Sequence, residues 1–370
     1  MPRIEDPNGS GLLRRRLHLD GWLLAALLAL IGVGLIILYS ASGGHISVVY
    51  RQITRLVLGV GVMFLVAQIA SYHLRRLTPW LYFAGLALLM LVLIKGEVGM
   101  GAQRWLSLGV VRFQPSELMK LAVPMAVAWL FSERPLPPRG RDLFIAILVV
   151  VVPAILIAKE PDLGTALLVA MAGSFVIFLA GIRYRYLFGF FVSILAALPV
   201  LWHFMHGYQR NRVLTFINPE RDPLGTGYHI MQSMIAVGSG GIYGKGWLNG
   251  TQAQLDFLPE RSTDFIFSVF GEEFGLLGAI FLLGLYAFVI LRGLIIAVNA
   301  QDSYSRLLAG SISLTFSVYV LVNIGMVIGL LPVVGVPLPL ISYGGTSMVT
   351  LMAAFGMLMS IQTHRRLVAH

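Results

Sequence analysis

RSTDFIFSVFGEE, residues 261–273, marks the boundary between a long polar segment and an apolar run that continues to Leu291. Asp264 stands where the chain enters this apolar run. A carboxylate at the mouth of a membrane span is costly to keep there, so such a residue usually has a function. The stretch therefore predicts a membrane-spanning helix that begins at a functional carboxylate.

The composition is that of an integral membrane protein. Of the 370 residues, 57% are apolar and 12% are charged, whereas soluble domains carry about 25% charged residues. A spanning helix needs about 20 mainly apolar residues. Ten runs approach this length: 22–40, 52–70, 78–95, 116–132, 143–158, 162–181, 186–204, 264–292, 306–331 and 342–361. The sequence predicts an all-α fold of ten transmembrane helices in a single polytopic domain over residues 1–370.

The charge pattern predicts the orientation of these helices. The net charge is +10, but the basic residues of a nucleic-acid-binding protein cluster on one exposed face, and here they are distributed between the spans. The arginines of the N-terminal segment, of alternate loops and of the tail are Arg14, Arg15, Arg16, Arg75, Arg76, Arg134, Arg139, Arg141, Arg183, Arg185, Arg292, Arg306, Arg365 and Arg366. Basic loops face the cytoplasm. We therefore expect both termini to be cytoplasmic, the number of spans to be even, and no nucleic-acid partner.

The first apolar run follows a basic segment, as the core of a cleaved signal peptide does. At about 18 residues, this run is longer than a signal core of about 7 to 15 residues. The length favours an uncleaved first helix.

A long segment, residues 205–263, separates the seventh and eighth predicted spans on the outward side. Loops of this length are usually functional or disordered, and this one contains too many aromatic residues for disorder. We expect a folded lid that lies against the membrane surface. Glycines can give such a lid places to bend, so we expect it to move during a reaction cycle; they are Gly225, Gly227, Gly238, Gly240, Gly241, Gly244 and Gly246.

The stretch GAQRWLSLGVVRFQPSELMK, residues 101–120, leads from an outward loop into the fourth predicted span. Glu117 and Lys120 stand three residues apart, which places them on one face of a helix. Ionisable groups inside a span face a cavity or each other, and the nearby Arg104 would make such a cavity more cationic. The alternative is an ordinary intrahelical ion pair, with Ser116 as the helix cap.

A second group of charges lies in AKEPDLG, residues 158–164, at an outward turn between two spans. Asp162 is a candidate for binding a substrate. A structural role is equally well supported, because Pro161 followed by Asp162 is a typical helix start.

The lid adds three cationic candidates in glycine-rich surroundings: Arg210, Arg212 and Lys245. Such segments suit the oxygens of a phosphate, although tight turns explain the glycines equally well. Asp264 also has a structural alternative. Ser262 or Thr263 would cap the eighth span, and the carboxylate would complement the helix dipole.

The stretch NIGMVIGLLPVVGVPLPLISYGGTS, residues 323–347, joins the last two predicted spans. Pro332, Pro337 and Pro339 cannot continue a helix, so the backbone must be irregular near membrane depth. Irregular backbone is tolerated there only against protein or an aqueous cavity.

This last stretch resembles the signature of the SEDS family, named for shape, elongation, division and sporulation. The resemblance covers essentially the whole chain, and the residues that carry it here are Asn323, Gly329, Pro332, Gly335 and SYGGTS at 342–347. The stretches FQPSE, GKGWLNGTQAQLDFLPE and TDFIF are similar to those of the elongation branch of the family, RodA.

The resemblance implies a peptidoglycan glycosyltransferase that polymerises lipid II at the outer face of the bacterial cytoplasmic membrane during cell elongation. It also implies two kinds of partner, a class B penicillin-binding protein that cross-links the strands and scaffold proteins of the elongation complex. By the same resemblance, the essential aspartate of the family is Asp264, the Glu and Lys after FQPS are Glu117 and Lys120, the arginine of GAQRW is Arg104 and the aspartate of PDLG is Asp162.

The chemistry of this transfer fits these residues. A sugar hydroxyl needs one base, for which Asp264 is the best candidate. The leaving diphosphate needs cations, which Arg104, Lys120, Arg210 or a divalent Mg or Mn ion would supply. Asp264 and Glu117 are candidate metal ligands, and no organic cofactor is expected. The transfer would invert the configuration of the sugar carbon.

Two other functions remain open. A flippase for the lipid-linked precursor would need a charged path through the inner half of the bilayer, whereas the ionisable residues of the predicted spans cluster near the outward ends. A non-catalytic scaffold for a cross-linking transpeptidase would not depend on Asp264 or Lys120.

Overall fold

The computed structural model describes residues 18–99, 102–107, 112–182, 186, 188–189, 203, 207–218, 222, 225–255, 257–258 and 260–364. Its helices are α1 Gly21–Ala41, α2 Ile46–Ala67, α3 Ser71–Lys95, α4 Pro115–Ser132, α5 Gly140–Lys159, α6 Leu163–Leu179, α7 Gly207–Ile217, α8 Thr226–Ser239, α9 Thr251–Gln254, α10 Ile266–Val298, α11 Ser303–Val327 and α12 Thr346–Thr363. Three short strands, β1 Glu97–Gly99, β2 Ala102–Ser107 and β3 Arg112–Phe113, lie between α3 and α4.

The helices confirm a multi-pass membrane architecture. Nine of the predicted apolar runs fall on helices within the described residues, and the run 186–204 lies largely outside them. In the part of the chain that the structure describes, seven helices are long and apolar enough to cross a membrane, namely α1, α2, α3, α5, α10, α11 and α12. Two further helices come close to this: α6 is apolar but has only 17 residues, and α4 has 18 residues, as α12 does, but is less apolar because it includes Glu117 and Lys120.

The helical bundle has two different ends. At one of them, here called the site end, α1, α3, α5 and α11 finish and α2, α4, α6, α10 and α12 begin. At the opposite end, ion pairs join different helices, as between Arg75 and Glu133 (2.5 Å) and between Arg292 and the N-cap carboxylate of Asp20 (2.5 Å). Most of the buried apolar side chains form one continuous core between the two ends.

The three strands at the site end are a small departure from the predicted all-α fold. β1 and β2 are antiparallel, with Val98 opposite Gln103, and β2 pairs with β3, with Leu106 opposite Phe113. The pairing satisfies backbone groups of a segment that packs on the end of the bundle. Strands this short carry no detectable alternation of polar and apolar residues, so the sequence pattern did not reveal them.

The helix α10 is broken, whereas the sequence predicts an uninterrupted span over residues 264–292. Gly275 has φ 62° and ψ −161°, which are not helical values. Residues 240–250, here called the strap, bond to the backbone groups that the break exposes: Lys245 N to Glu272 O, Gly246 N to Glu273 O, Leu276 N to Gly241 O and Leu277 N to Ile242 O, all between 2.9 and 3.1 Å. In an unbroken helix these carbonyls and N–H groups of α10 would pair with each other. The strap therefore replaces the hydrogen bonds of one helical turn.

The position of the strap differs from that of the predicted lid, which would lie against the membrane surface. Its hydrogen bonds to Leu276 and Leu277 lie about 15 Å from the start of α10, because each helical residue adds about 1.5 Å. This part of the predicted lid is therefore inserted beside the helix, and does not rest on its end.

Two glycines of the strap are explained by close contact with α10. A Cβ on Gly240 would lie 2.1 Å from the carbonyl oxygen of Gly271, and a Cβ on Gly244 would lie 2.1 Å from that of Glu273. Gly244 also has φ 79°, a conformation that favours glycine. Close packing therefore explains these two glycines without any bending, and bending at these positions stays a prediction. Movement of the remaining lid stays a prediction.

Candidate active site

The segment between α11 and α12, residues 328–345, is here called the connecting segment, and it contains no helix or strand. This confirms the irregular backbone that the prolines predict. α11 ends at Val327 and α12 begins at Thr346, each several residues away from the predicted bounds at 331 and 342. Gly329 and Gly335 have φ of 73° and 77°, so the chain leaves the helix and turns where glycine tolerates a left-handed backbone.

Asp264 lies just before the first residue of α10 and is partly exposed. The predicted cap is not observed, because the N-cap residue of α10 makes no side-chain cap hydrogen bond. The hydroxyls of Ser262 and Thr263 instead donate to carbonyl oxygens elsewhere (3.3 and 3.1 Å). The capping part of the structural alternative is therefore contradicted, and the interaction of the Asp264 carboxylate with the helix dipole stays a prediction.

Three donors hold the backbone of residues 262–264. They are the N–H of Tyr343 to Ser262 O (2.8 Å), Oγ of Ser342 to Thr263 O (2.6 Å) and Nδ2 of Asn323 to Asp264 O (2.8 Å). A Cβ on Gly335 would lie 3.5 Å from Oδ2 of Asp264. The carboxylate therefore faces the connecting segment, and the backbone beneath it is fixed by Tyr343, Ser342 and Asn323.

Two polar residues of α2 in turn hold the connecting segment. The amide of Gln52 donates to Ser342 O (3.2 Å) and accepts from the N–H of Gly344 (3.4 Å). Arg55 donates to Gly344 O (3.0 Å) and lies 4.4 Å from the centre of the Tyr343 ring. The sequence analysis did not single out Gln52 and Arg55. Their position inside an apolar run was the available signal, because polar groups in a span need partners.

A cavity opens between α4, α11, α12 and the connecting segment. Glu117 and Lys120 line it as predicted, with Nζ of Lys120 2.7 Å from Oε1 of Glu117 and 5.5 Å from the centre of the Tyr319 ring. Oε2 of Glu117 is buried and has no hydrogen-bond partner among the described residues. The cavity is thus lined by an ion pair within mostly apolar walls, and the carboxylate of this pair keeps one buried oxygen without a partner among the described residues.

Arg104 on β2 and Asp162 before α6 form a second cluster. Nε of Arg104 lies 3.7 Å from Oδ2 of Asp162, and the amide of Gln114 donates to the same oxygen (3.1 Å). Oδ1 of Asp162 accepts from the N–H of Thr165 (3.2 Å) and so caps α6. Asp162 therefore has a structural role, but as the N-cap of α6 and not in its first turn, and Pro161 precedes the cap and does not occupy the first helical position as predicted. Binding of a substrate by Asp162 and Arg104 stays a prediction.

Glu160 lies beside this cluster, and the sequence predicts no role for it beyond its membership of the charged turn 158–164. It is 1% exposed, and neither of its carboxylate oxygens has a hydrogen-bond partner within the described residues. Burial, and then the negative charge of Asp162, raise the pKa of Glu160 to about 8, against a smaller lowering by Arg104. Glu160 therefore keeps its proton at neutral pH.

The two clusters and Asp264 meet at the connecting segment. Gly164, in the first turn of α6, packs against Val334, because a Cβ on Gly164 would lie 3.0 Å from the Val334 side chain. The next residue in the chain, Gly335, faces Asp264. The cavity that contains Lys120 is lined by residues 337–340, 342 and 344 of the same segment. One irregular segment thus joins parts of the site that lie more than 140 residues apart in the chain, at positions 120 and 264.

Two of the cationic residues predicted in the lid contact other parts of the chain. Nζ of Lys245 lies 2.7 Å from Oε1 of Glu272, and Arg210 donates to His203 O (2.6 Å). The side chain of Arg212 lies outside the described residues. The ion pair explains Lys245 without a substrate, and phosphate binding by these three residues stays a prediction.

Glu272 and Glu273 are buried carboxylates that the sequence analysis also missed. Besides its ion pair, Glu272 accepts hydrogen bonds from Oγ1 of Thr251 (2.9 Å) and from the N–H of Gln252 (3.2 Å). Glu273 accepts a hydrogen bond from the hydroxyl of Ser40 in α1. Two adjacent carboxylates within an apolar run were the available signal, since such groups need several partners.

The candidate metal ligands Asp264 and Glu117 do not belong to a ready-made metal cluster. Within the described ranges, no three side chains of His, Cys, Asp or Glu come together in a way that would hold a metal ion. Mg²⁺ is usually held by one or two carboxylates together with substrate phosphates. The unpartnered Oε2 of Glu117 fits such a contribution.

The fold and the site define a multi-pass membrane protein with a cavity, a buried ion pair and a partly exposed carboxylate at one end of its helical bundle. Residues 21–367 match the family FTSW_RODA_SPOVE, described as cell cycle proteins. The chain is 50% identical to the peptidoglycan glycosyltransferase MrdB of Escherichia coli (strain K12) over 355 residues, which cover 96% of each chain. It is 32% identical to the peptidoglycan glycosyltransferase RodA of Treponema pallidum (strain Nichols), covering 94% of this chain and 98% of that one.

Solved structures agree with these relatives. One belongs to work on the structural coordination of polymerization and crosslinking by a peptidoglycan synthase complex; it matches with a TM-score of 0.81 and 33% identity, over 93% of this chain and 97% of that one. The rod shape determining protein RodA of Thermus thermophilus matches with a TM-score of 0.71 and 31% identity, over 93% and 96%. The chain belongs to the FTSW_RODA_SPOVE family of cell cycle proteins.

Proposed function

We propose that the chain is a peptidoglycan glycosyltransferase that polymerises lipid II into glycan strands during cell elongation. The observation that carries this proposal is the 50% identity to the peptidoglycan glycosyltransferase of Escherichia coli over 96% of both chains. The arrangement of Asp264, Glu117 and Lys120 around the connecting segment supports it, because this transfer needs a base and a cation near a membrane-embedded substrate.

Asp264 is the proposed general base. It takes the proton from the acceptor sugar hydroxyl as that oxygen attacks the anomeric carbon of the donor. A new glycosidic C–O bond forms while the C–O bond to the diphosphate breaks, and the configuration of the carbon inverts. The undecaprenyl diphosphate leaves as a weak base, so it needs positive charge and no strong acid.

Lys120 is the proposed cation for the leaving group. Its ammonium group lies in a mostly apolar cavity, where interactions between charges are stronger than in water. Arg104 on β2, beside the start of α6, is a second candidate. A divalent cation, if bound with the help of Glu117, would neutralise further diphosphate charge.

The orientation of the protein is also part of the proposal. We infer ten spans, the seventh formed by residues 186–204, with both termini in the cytoplasm and the site facing outward. Arginines at the end opposite the site support this orientation, because positive charge favours the cytoplasmic side. Within the described residues they include Arg75, Arg76, Arg134, Arg139, Arg141, Arg292 and Arg306.

A cross-linking enzyme is the proposed partner. The similarity to a structure described as a peptidoglycan synthase complex that coordinates polymerization and crosslinking supports a transpeptidase of the class B penicillin-binding type. Scaffold proteins of the elongation complex are proposed as further partners on the resemblance alone.

The test is incubation of the purified protein with lipid II, with and without the transpeptidase, followed by separation of glycan polymer. We expect polymer from the parent protein and at least about a 100-fold lower rate from Lys120→Met, the usual cost of losing one group that stabilises developing charge. A flippase would instead move labelled lipid II across vesicles without polymer. Absence of polymer in both conditions would contradict the proposal.

A further inference from the structure

The backbone that carries Asp264 is fixed from outside its own helix. Residues 262–264 precede the N-cap of α10, so their carbonyl groups have no partner in the helical hydrogen-bond ladder. Tyr343, Ser342 and Asn323 each supply a donor to one of these three consecutive carbonyls. Tyr343 does so through its backbone, whereas Ser342 and Asn323 use side chains that substitution can remove.

Asn323 donates hydrogen bonds both to the backbone of Asp264 and to the part of the connecting segment that the Asp264 carboxylate faces. A carboxamide has two donor hydrogens, and Nδ2 of Asn323 uses them on Asp264 O and on Val336 O (both 2.8 Å). Val336 follows Gly335, the residue that the carboxylate faces. Because both neighbours are carbonyl oxygens, the amide nitrogen must be the atom that faces them. Asn323 therefore sets the distance between Asp264 and the connecting segment.

Ser342 connects Asp264 to the cavity. It lines the cavity that contains Lys120, and its hydroxyl donates to Thr263 O (2.6 Å) while it accepts from the N–H of Leu338 (2.8 Å). Ser342 is 2% exposed, so a substrate would not displace these bonds without opening the segment. The hydroxyl therefore fixes the residue before Asp264 relative to the cavity wall.

We propose that Asn323 and Ser342 are positioning residues that hold the carboxylate of Asp264 in place against the acceptor sugar. The proposal rests on the proposed function, in which Asp264 is the base. A displacement of about 1 Å costs on the order of 100-fold in rate. Loss of either donor therefore lowers turnover much more than it lowers the amount of folded protein.

Ser342→Ala tests this inference, with Ser311→Ala as a matched control. Ser311 also donates a buried hydroxyl to a carbonyl, that of Ala172 (2.7 Å), but in the contact between α11 and α6. We expect similar shifts of the unfolding midpoint in both variants, at least a tenfold lower kcat with an unchanged KM for lipid II in Ser342→Ala, and activity within twofold of the parent in Ser311→Ala. Equal turnover of the two folded variants would overturn the inference.

Asn323→Asp provides a second readout, the pH profile of kcat. The substitution keeps the shape of the side chain but removes its donors and adds a carboxylate beside Asp264. A nearby negative charge raises the pKa of a carboxyl group, so the acidic limb of the profile should move to higher pH, and Asn323→Ala should lower kcat without this movement. An unmoved limb in a folded Asn323→Asp variant would contradict a position beside the base.

A measurement without turnover separates this inference from the proposed function. The chain has no cysteine, so Thr263→Cys introduces a single thiol next to Asp264. In the Ser342→Ala background this thiol should react with a maleimide at least threefold faster than in the Ser311→Ala background, because the carbonyl of residue 263 has lost its donor. Equal rates would overturn the positioning role, whereas faster labelling in the Ser342→Ala background of a chain whose parent makes no polymer would contradict only the proposed function.

Discussion

Asp264 and Glu272 are two carboxylates of one short stretch, eight residues apart, and their surroundings differ completely. Asp264 is partly exposed at the start of α10 and faces the connecting segment beside the cavity. Glu272 is fully buried, and its oxygens accept from Lys245, Thr251 and Gln252. Burial of a carboxylate in a membrane protein is therefore not sufficient evidence of chemistry. The arrangement of its donors distinguishes a structural group from one that can meet a substrate.

The break in α10 explains why the buried carboxylates are needed. The strap must stay in the gap around Gly275 to satisfy the backbone groups that the break exposes, since unpaired backbone groups at membrane depth are costly. Glu272 binds Lys245 of the strap and the adjoining Thr251, and Glu273 binds the backbone N–H groups of Leu248 and Gly250 in the strap and the hydroxyl of Ser40 in α1. This region should therefore respond to mutation through stability, and the region of Asp264 through turnover.

Lys245→Met should give the largest loss of stability. The substitution leaves Glu272 buried without its cation, and we expect it to lower the free energy of unfolding by about 3 kcal/mol. This is the lower end of the range for breaking a buried ion pair, because Lys245 is itself partly exposed. Thermal unfolding in detergent measures the loss. The double variant Lys245→Met with Glu272→Gln should recover most of it, because the unpaired charge is removed. Unchanged stability with lower turnover would instead support the phosphate-binding prediction for Lys245.

Glu160→Gln should change how stability depends on pH. The pKa of Glu160 is raised from 4.5 to about 8, so between these values the folded protein holds a proton that the unfolded chain has released. The parent protein therefore loses stability as the pH rises through this window, by up to about 1.4 kcal/mol per pH unit. The variant lacks this dependence, so its advantage should grow from pH 5 to pH 8 and then level off. A constant difference in unfolding midpoint over that range would contradict the protonated state.

Gly240→Ala should destabilise the strap more modestly, by about 1–3 kcal/mol, the usual cost of overpacking. Its Cβ would lie 2.1 Å from the carbonyl oxygen of Gly271. Gly238→Ala is the matched control, because nothing lies within 4 Å of its Cβ, and a helical Gly to Ala change should stabilise by about 0.5–1 kcal/mol. We expect the unfolding midpoint to fall in Gly240→Ala and to rise in Gly238→Ala. Equal shifts would mean that the contact at Gly240 is not tight.

Much of the fold could be predicted because membrane helices are encoded by local hydropathy. The apolar runs and the irregular backbone around Pro332, Pro337 and Pro339 needed no tertiary information. The break at Gly275 could not be predicted, because the partner that makes it stable, the strap, is a separate segment that inserts beside the helix. The short strands between α3 and α4 depend in the same way on pairing that a local pattern does not show.

The site was predictable where ionisable residues stand in apolar sequence, as for Glu117, Lys120 and Asp264. The sequence did not reveal which charges satisfy each other, so Lys245 was grouped with phosphate-binding residues although its partner is Glu272. It also did not reveal the role of Gln52, whose contacts with the connecting segment join residues 290 positions apart. Such long-range hydrogen bonds leave no periodic signal in a single chain.

The most direct test of the account compares Asp264→Asn with Glu272→Gln in the lipid II polymerisation assay, together with their unfolding midpoints. Asp264→Asn removes the base at constant size, so polymerisation should fall by about 100- to 10,000-fold while the midpoint stays at that of the parent. Glu272→Gln should lower the midpoint and leave the turnover of the folded protein within about threefold of the parent, because it acts only through the strap. Polymerisation by Asp264→Asn within threefold of the parent would contradict the central claim that Asp264 is the base.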